Sequence, residues 1–191
     1  MKNKLREIYK AKRREITSEE VATKSKKACE FFLESDLYKN AKTLMLYMPL
    51  GKETDTTKII QKAFDDGKKV AFPVTDEKSG EITPCYATAE TEFAKGGFSV
   101  KEPCGNDFAN PMDIDVVIVP GIAFDTMGNR IGFGKGCYDK LLCKTNAVRV
   151  GFCYELQICD EIQAEDYDVK MDYIITEVGI KKEKYCGYSK I

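Results

Sequence analysis

Histidine is absent from the 191 residues. That absence excludes every Ser/His/Asp or Cys/His nucleophilic site, every histidine-bearing zinc site and any histidine acid or base. What remains is chemistry carried by carboxylates, lysine, arginine, backbone amides and bound ions. An excess of charge is also lacking: 30 lysines and arginines face 31 aspartates and glutamates. No global field therefore holds a nucleic acid by counterion release, and any anion site must be local. No apolar run approaches the roughly 18 residues of a membrane span, and the first residues, MKNKLREIYKAKRRE, are charged throughout with no apolar signal core. The expectation is a soluble, cytoplasmic protein without nucleic-acid or membrane partners, its oligomeric state not fixed beyond monomer or weak dimer. The eight cysteines form no CxxC pair and accompany no secretory signal, so they read as free thiols.

At this length one domain, residues 1–191, is expected, and 43% hydrophobic residues suffice for a sizeable core. Leu5, Ile8 and Tyr9 at helical spacing predict an amphipathic helix over residues 2 to 15 with a narrow apolar stripe. Thr17 followed by Glu20 is a capping box that opens a second helix to about Ser35, with Val21, Cys29, Phe32 and Leu33 inward. Three near-continuous apolar runs then read as buried strands: TLMLYM (43–48), GKKVAFPV (67–74) and DIDVVIVP (113–120). Between the first two, Ile59, Ile60 and Ala63/Phe64 lie at helical spacing and Gly67 stops the helix, which makes a parallel βαβ unit. KSGEITPCYAT (78–88) is a hairpin arm or an antiparallel edge, and AVRVGFCY (147–154) and DYIITE (172–177) supply two more strands. The predicted fold class is α/β, a single three-layer domain. Its mostly parallel central sheet of about five or six strands is flanked by helices, with a possible small antiparallel hairpin.

Ligands of such sheets gather beyond the carboxyl ends of the strands, here after Met48, Pro73, Pro120 and Ile175. Past Pro120 comes GNRIGFGKGCYDKLL (128–142). Glycines 132, 134 and 136 let successive amides approach an anion, and a helix starting near Cys137 adds unsatisfied N–H groups. Arg130 and Lys135 add positive charge of the kind that stabilises a transferring phosphoryl group. Asp139, just inside the helix, is poised to hold Mg²⁺ against the same phosphates, or else serves only the helix dipole. The spacing matches neither a Walker loop nor a dinucleotide fingerprint, and a plain glycine-rich loop with a solvated lysine is the competing reading. Asp55 or Thr56 reads as a helix N-cap, leaving Glu53 open. Asp172 precedes a strand and becomes a metal ligand only if it converges with Asp139. Lys2 and Arg6, four apart, share a helix face that reaches a polyphosphate only if that helix lies beside the loop.

The segment VPGIAFDTMGNRIGFGKGCYDKLL (119–142) resembles the signature of the 5-formyltetrahydrofolate cyclo-ligase family, also called 5,10-methenyltetrahydrofolate synthetases. KLREIYKAKRREITSEE resembles the family's basic first helix, YMPLGKETDTTKII its second block, VKEPCG its Glu-Pro element and VKMDYIITE its final strand. The resemblance implies an enzyme whose small-molecule substrates are 5-formyltetrahydrofolate and ATP, with Mg²⁺ as cofactor, and whose products are 5,10-methenyltetrahydrofolate, ADP and phosphate. Matched position by position, Lys2 and Arg6 are the amino-terminal ATP contacts. Arg130, Ile131, Gly132, Phe133, Gly134, Lys135, Gly136, Cys137 and Tyr138 form the ATP loop, with Arg130 and Lys135 as the catalytic cations. Phe133 to Cys137 also border the folate, Met48 and Glu53 match folate-pocket positions, and Asp139 and Asp172 match the Mg²⁺ ligands.

One departure is visible: the family commonly has an aromatic pair before the aspartate, and Cys137 replaces the first ring. The mechanism the family implies, attack of the formyl oxygen on the γ-phosphate to give an iminophosphate and then ring closure by the neighbouring nitrogen, needs no histidine. Two rival readings remain: a non-catalytic nucleotide or sugar-phosphate binding module, and a sugar-phosphate isomerase or CoA-transferase relative on a similar sheet.

Overall fold

In the computed structural model, which describes residues 1–182, the charged amino-terminal segment is helix α1 (Lys2–Glu15). Its apolar stripe is as narrow as the spacing implies: Tyr9 is buried against Ile122, Ala123 and Ile131, with Leu5 beside it, and Ile8 stays exposed. Thr17 caps α2 (Ser18–Glu34) through the expected box. Its hydroxyl accepts from the Glu20 N–H at 3.1 Å and the Glu20 carboxylate accepts from the Thr17 N–H at 2.9 Å, which satisfies two donors the helix would leave orphaned. A short α3 (Asp36–Asn40), capped by Ser35, follows without having been expected.

The apolar runs become strands: β1 (Thr43–Met45) and β2 (Lys69–Thr75) are parallel and joined through α4 (Thr57–Asp65). β3 (Ile82–Ala87) pairs antiparallel with β2, so the ambiguous 78–88 segment is an antiparallel edge. β4 (Phe93–Lys95) and β5 (Lys101–Pro103) form a separate two-stranded arm. Then come β6 (Val116–Val119), β7 (Ala123–Asp125), β8 (Arg130–Ile131), α5 (Cys137–Leu142), β9 (Val148–Phe152), β10 (Ile158–Cys159), β11 (Tyr173–Thr176) and β12 (Gly179–Lys182).

The main sheet has seven strands in the order β12-β11-β9-β6-β1-β2-β3, parallel at its centre and closed by an antiparallel strand on each edge. The sequence expectation fell short by β12, since GIKK has one apolar residue and carries no periodic signal. Central strands are buried on both faces, and neighbouring residues serve opposite ones. Leu44 and Ile118 join Phe32, Ile59 and Phe72 under α2 and α4, whereas Met45, Val117 and Val119 join Leu141, Leu142 and Ile174 under α5. A small sheet of order β10-β7-β8 extends the second face and receives α1. Gly151 in β9 permits this contact, because a Cβ there would stand 2.6 Å from the Phe124 ring.

Among the described residues, no helix is long and apolar enough to cross a membrane. The seven cysteines among them are free, and Cys186 lies outside them.

Candidate functional site

The carboxyl ends of the parallel strands do converge. The chain after β1 (Tyr47, Met48, Leu50, Glu53), the end of β2 (Pro73, Thr75) and Pro120 after β6 line one cavity of about 810 Å³ together with residues 130–139. The fourth expected position does not join them: past Ile175, Glu177 accepts from the Glu155 N–H at 2.8 Å and pairs with Lys24 at 3.2 Å.

Arg130, carried on β8, is the most constrained cation of the wall. Its side chain is 7% exposed; Nη1 donates to the Pro120 carbonyl at 3.3 Å, Nη2 donates to Asp139 Oδ2 at 3.0 Å, and the guanidinium lies 5.6 Å from the Tyr138 ring centroid. Gly132 makes room for it, since a Cβ there would come within 2.7 Å of Arg130 Nη1. Gly134 (φ +97°) and Gly136 (φ +65°) occupy the left-handed region that favours glycine. Gly136 is the N-cap of α5, which at six residues supplies a turn of free amides rather than a long dipole. Cys137, Tyr138 and the exposed Phe133 and Lys135 complete this wall, while Ile131 is buried beneath it.

Helix α1 lies beside the loop, a placement its sequence left open. Arg6 Nε donates to the Gly132 carbonyl at 2.8 Å, and the bare face of Gly134 lies against the Arg6 guanidinium, 3.5 Å from where a Cβ would be. Lys2 pairs at 2.5 Å with both Glu165 and Asp168, and these carboxylates hold its ammonium charged against the cost of its burial.

Glu53 is 6% exposed. Its Oε2 accepts the Leu50 N–H at 3.0 Å, and its Oε1 lies 3.8 Å from Arg13 Nη1. Burial pushes its carboxyl above the ordinary range, opposed by that N–H and by Arg13. The phenols of Tyr47 and Tyr138 are pushed up by burial first and by the neighbouring Glu53 second. Thr56 is the N-cap of α4, and Asp55 just before it accepts the Thr57 N–H at 2.8 Å.

Of the two aspartates expected to bind Mg²⁺, Asp139 lines the cavity and Asp172 does not. Asp139 has Oδ2 on Arg130 and Oδ1 accepting the Val169 N–H at 3.2 Å. Asp172 precedes β11 and so stands at the amino ends of the parallel strands, the edge opposite the cavity. There it accepts from the Arg149 N–H at 2.8 Å, Nε at 2.9 Å and Nη2 at 2.6 Å. Among the described residues no group of three or more acidic or cysteine side chains gathers to hold a metal. The donor set fits an Mg²⁺ that arrives on phosphate oxygens and takes one wall carboxylate, Asp139.

Two stretches of the wall escaped the sequence reading. The arm between β4 and β5 contributes Gly97 and Phe98, with Phe98 (φ 52°) and Ser99 (φ 64°) both left-handed and the Phe98 ring 5.8 Å from Lys135 Nζ. The segment 163–168 contributes Glu165, Tyr167 and Asp168. The acidic run AEDYD was the available signal, as a complement to the basic face of α1; positive φ at Phe98 has no local signature.

Comparison with known proteins bears on what this cavity serves. The sequence model of the 5-formyltetrahydrofolate cyclo-ligase family matches residues 1–177. The chain belongs to that family. The cyclo-ligase of mouse is 26% identical over 92% of this chain and 93% of its own length, and that of Escherichia coli K12 is 25% identical over 88% and 96%. The solution structure of the 5,10-methenyltetrahydrofolate synthetase of Aquifex aeolicus is 28% identical, with a TM-score of 0.86 over 100% of this chain and 96% of that one. That likeness bears out the α/β fold with its mostly parallel sheet, and family membership makes this chain a ligase.

Proposed function

We propose that the protein converts 5-formyltetrahydrofolate into 5,10-methenyltetrahydrofolate with consumption of ATP, the small-molecule chemistry its residues were expected to serve. The observation that carries the reading is that Lys2, Arg6, Met48, Glu53 and the loop 130–139 all line one cavity of about 810 Å³, a volume in the range of sites that take small-molecule ligands. The formyl oxygen attacks the γ-phosphorus and ADP departs. The neighbouring nitrogen adds to the activated carbon and loses its proton, and inorganic phosphate leaves with the former formyl oxygen.

The chain's part is positioning and charge. Arg130 and the amides of the glycine loop meet the phosphates from a fixed frame, and Lys135 supplies a flexible cation to the group in transfer. Met48 and Glu53, with the loop's 133–137 edge, border the folate. Cys137 puts a thiol where the family commonly has a ring, and Phe133 is the ring of that edge. Asp139 would hold Mg²⁺, which would supply charge neutralisation to the phosphates; Asp172, which does not line the cavity, has no part in this proposal.

Mixing enzyme, 5-formyltetrahydrofolate and Mg·ATP is expected to raise the absorbance of methenyltetrahydrofolate and release phosphate. No rise with any nucleotide would sink the reading, and an equal rise without nucleotide would sink its ATP dependence. Lys135→Ala is expected to lower kcat by about 2.7–4 kcal/mol of barrier, as loss of a single oxyanion donor does; wild-type turnover would remove Lys135 from the role.

A further inference from the structure

Arg13 is one of the many charges of the amino-terminal helix, yet its side chain is only 13% exposed. It sits in the last turn of α1, which packs against the small sheet. There Nη1 donates to the Gly121 carbonyl at 3.4 Å and lies 3.8 Å from Glu53 Oε1. The Gly121 carbonyl is fixed in turn by Gln157 Nε2 at 2.9 Å. Glu53 is held by its own turn, Oε2 on the Leu50 N–H, and its carbonyl accepts from the Tyr154 hydroxyl at 3.0 Å.

The titratable and charged groups around the Glu53 carboxylate are Tyr47 beyond β1, Tyr138 on α5 and Arg13 on α1, with the Tyr154 hydroxyl on the Glu53 backbone carbonyl. The three phenols are all pushed above their ordinary range, chiefly by burial, so none of them carries charge near neutral pH. Arg13 is thus the one cation at ion-pair distance from this carboxylate among the described residues.

We propose that Arg13 is a positioning residue of the site, whose guanidinium keeps the buried Glu53 carboxylate charged and its Oε1 turned to the folate side of the cavity. The proposal rests on the reading of Glu53 as a folate-pocket residue. A buried carboxylate that loses its counterion is stabilised in its protonated form. A protonated Glu53 presents an O–H where the pocket needs a charged acceptor, so folate affinity falls and the loss is largest at low pH. The affinity for ATP, met by the other end of α1, is untouched.

The test is the pH profile of kcat/KM for 5-formyltetrahydrofolate, with KM for ATP measured alongside, in wild type, Arg13→Met, Arg13→Lys and Glu53→Gln. Arg13→Met is expected to move the acid limb up by about one pH unit, a tenfold loss at a fixed pH on that limb, with KM for ATP unchanged. Arg13→Lys, which keeps the charge and a similar apolar stem, is expected to restore most of the limb and serves if Arg13→Met does not fold. An unmoved limb in Arg13→Met, or a limb displaced in Arg13→Lys as far as in Arg13→Met, overturns the inference while Glu53→Gln still shows a raised folate KM. A wild-type folate KM in Glu53→Gln would instead overturn the reading of Glu53 itself.

Discussion

Arg130→Met tests whether the loop wall of the cavity rests on its ion pair with Asp139. The pair is well covered, with side chains 7% and 18% exposed and 3.0 Å between Nη2 and Oδ2, so solvent screening removes little of it. Methionine approximates the arginine stem but leaves Asp139 charged with one remaining protein donor, the Val169 N–H. Breaking a buried pair from one side costs about 3–5 kcal/mol, and the N–H together with residual exposure of Asp139 places this case near about 3 kcal/mol. For a chain of this size that is a fall in Tm of about 6–12 °C. Thermal unfolding followed by circular dichroism reads it directly. The double variant Arg130→Met/Asp139→Leu is expected to regain most of the loss, because no charge is then left buried without its counterion. A Tm within about 1 °C of wild type in Arg130→Met would show that Asp139 is solvated in the free protein and that the pair does not hold the wall.

Gly151→Ala should destabilise by about 1–3 kcal/mol through overpacking, since its Cβ would meet the Phe124 ring at 2.6 and 2.9 Å and Met171 at 3.2 Å; a denaturant midpoint equal to wild type would refute the close approach of the two sheets. Brief alkylation at pH 8 with mass mapping should label the exposed Cys104 and Cys143. It should spare Cys29 and Cys159, whose thiols burial pushes up to about 12 and about 11; early label on Cys29 would contradict its burial.

The parts of the fold legible in the sequence are those whose signal is local. β1, β2 and β6 carry near-continuous apolar runs because both their faces are largely buried, and α2 announces its start through Thr17 and Glu20. β12 was not legible, because an exposed antiparallel edge asks little of its side chains beyond backbone pairing with β11. The same limit governs the site. The glycine loop could be read as an anion cradle from its own residues, but the tie between Arg6 and the Gly132 carbonyl spans 126 positions and has no local trace. The burial of Arg13 has no local trace for the same reason: it comes from the small sheet, which forms from segments more than a hundred residues on. The convergence of Asp172 with Asp139, suggested by resemblance, depended on which end of β11 the aspartate occupies. Strand direction puts Asp172 at the amino end of β11, and a strand's own residues do not encode that direction.

The cations of the cavity divide into two kinds, and the division bears on how the proposed reaction uses them. Arg130, Arg6 and Lys2 each hold a protein acceptor: Asp139 and the Pro120 carbonyl, the Gly132 carbonyl, and the pair Glu165 and Asp168. Their positions are thereby fixed before any ligand arrives, and little reorganisation is left for the moment at which charge develops. Lys135 is different, exposed on a loop between two left-handed glycines and lying 5.8 Å from the Phe98 ring centroid. A flexible point charge suits a group that moves during transfer better than a rigid fork does. The two roles call for different tests, stability for Arg130 and turnover for Lys135. A variant of Lys135 that lowered Tm as much as Arg130→Met would show that this division is wrong.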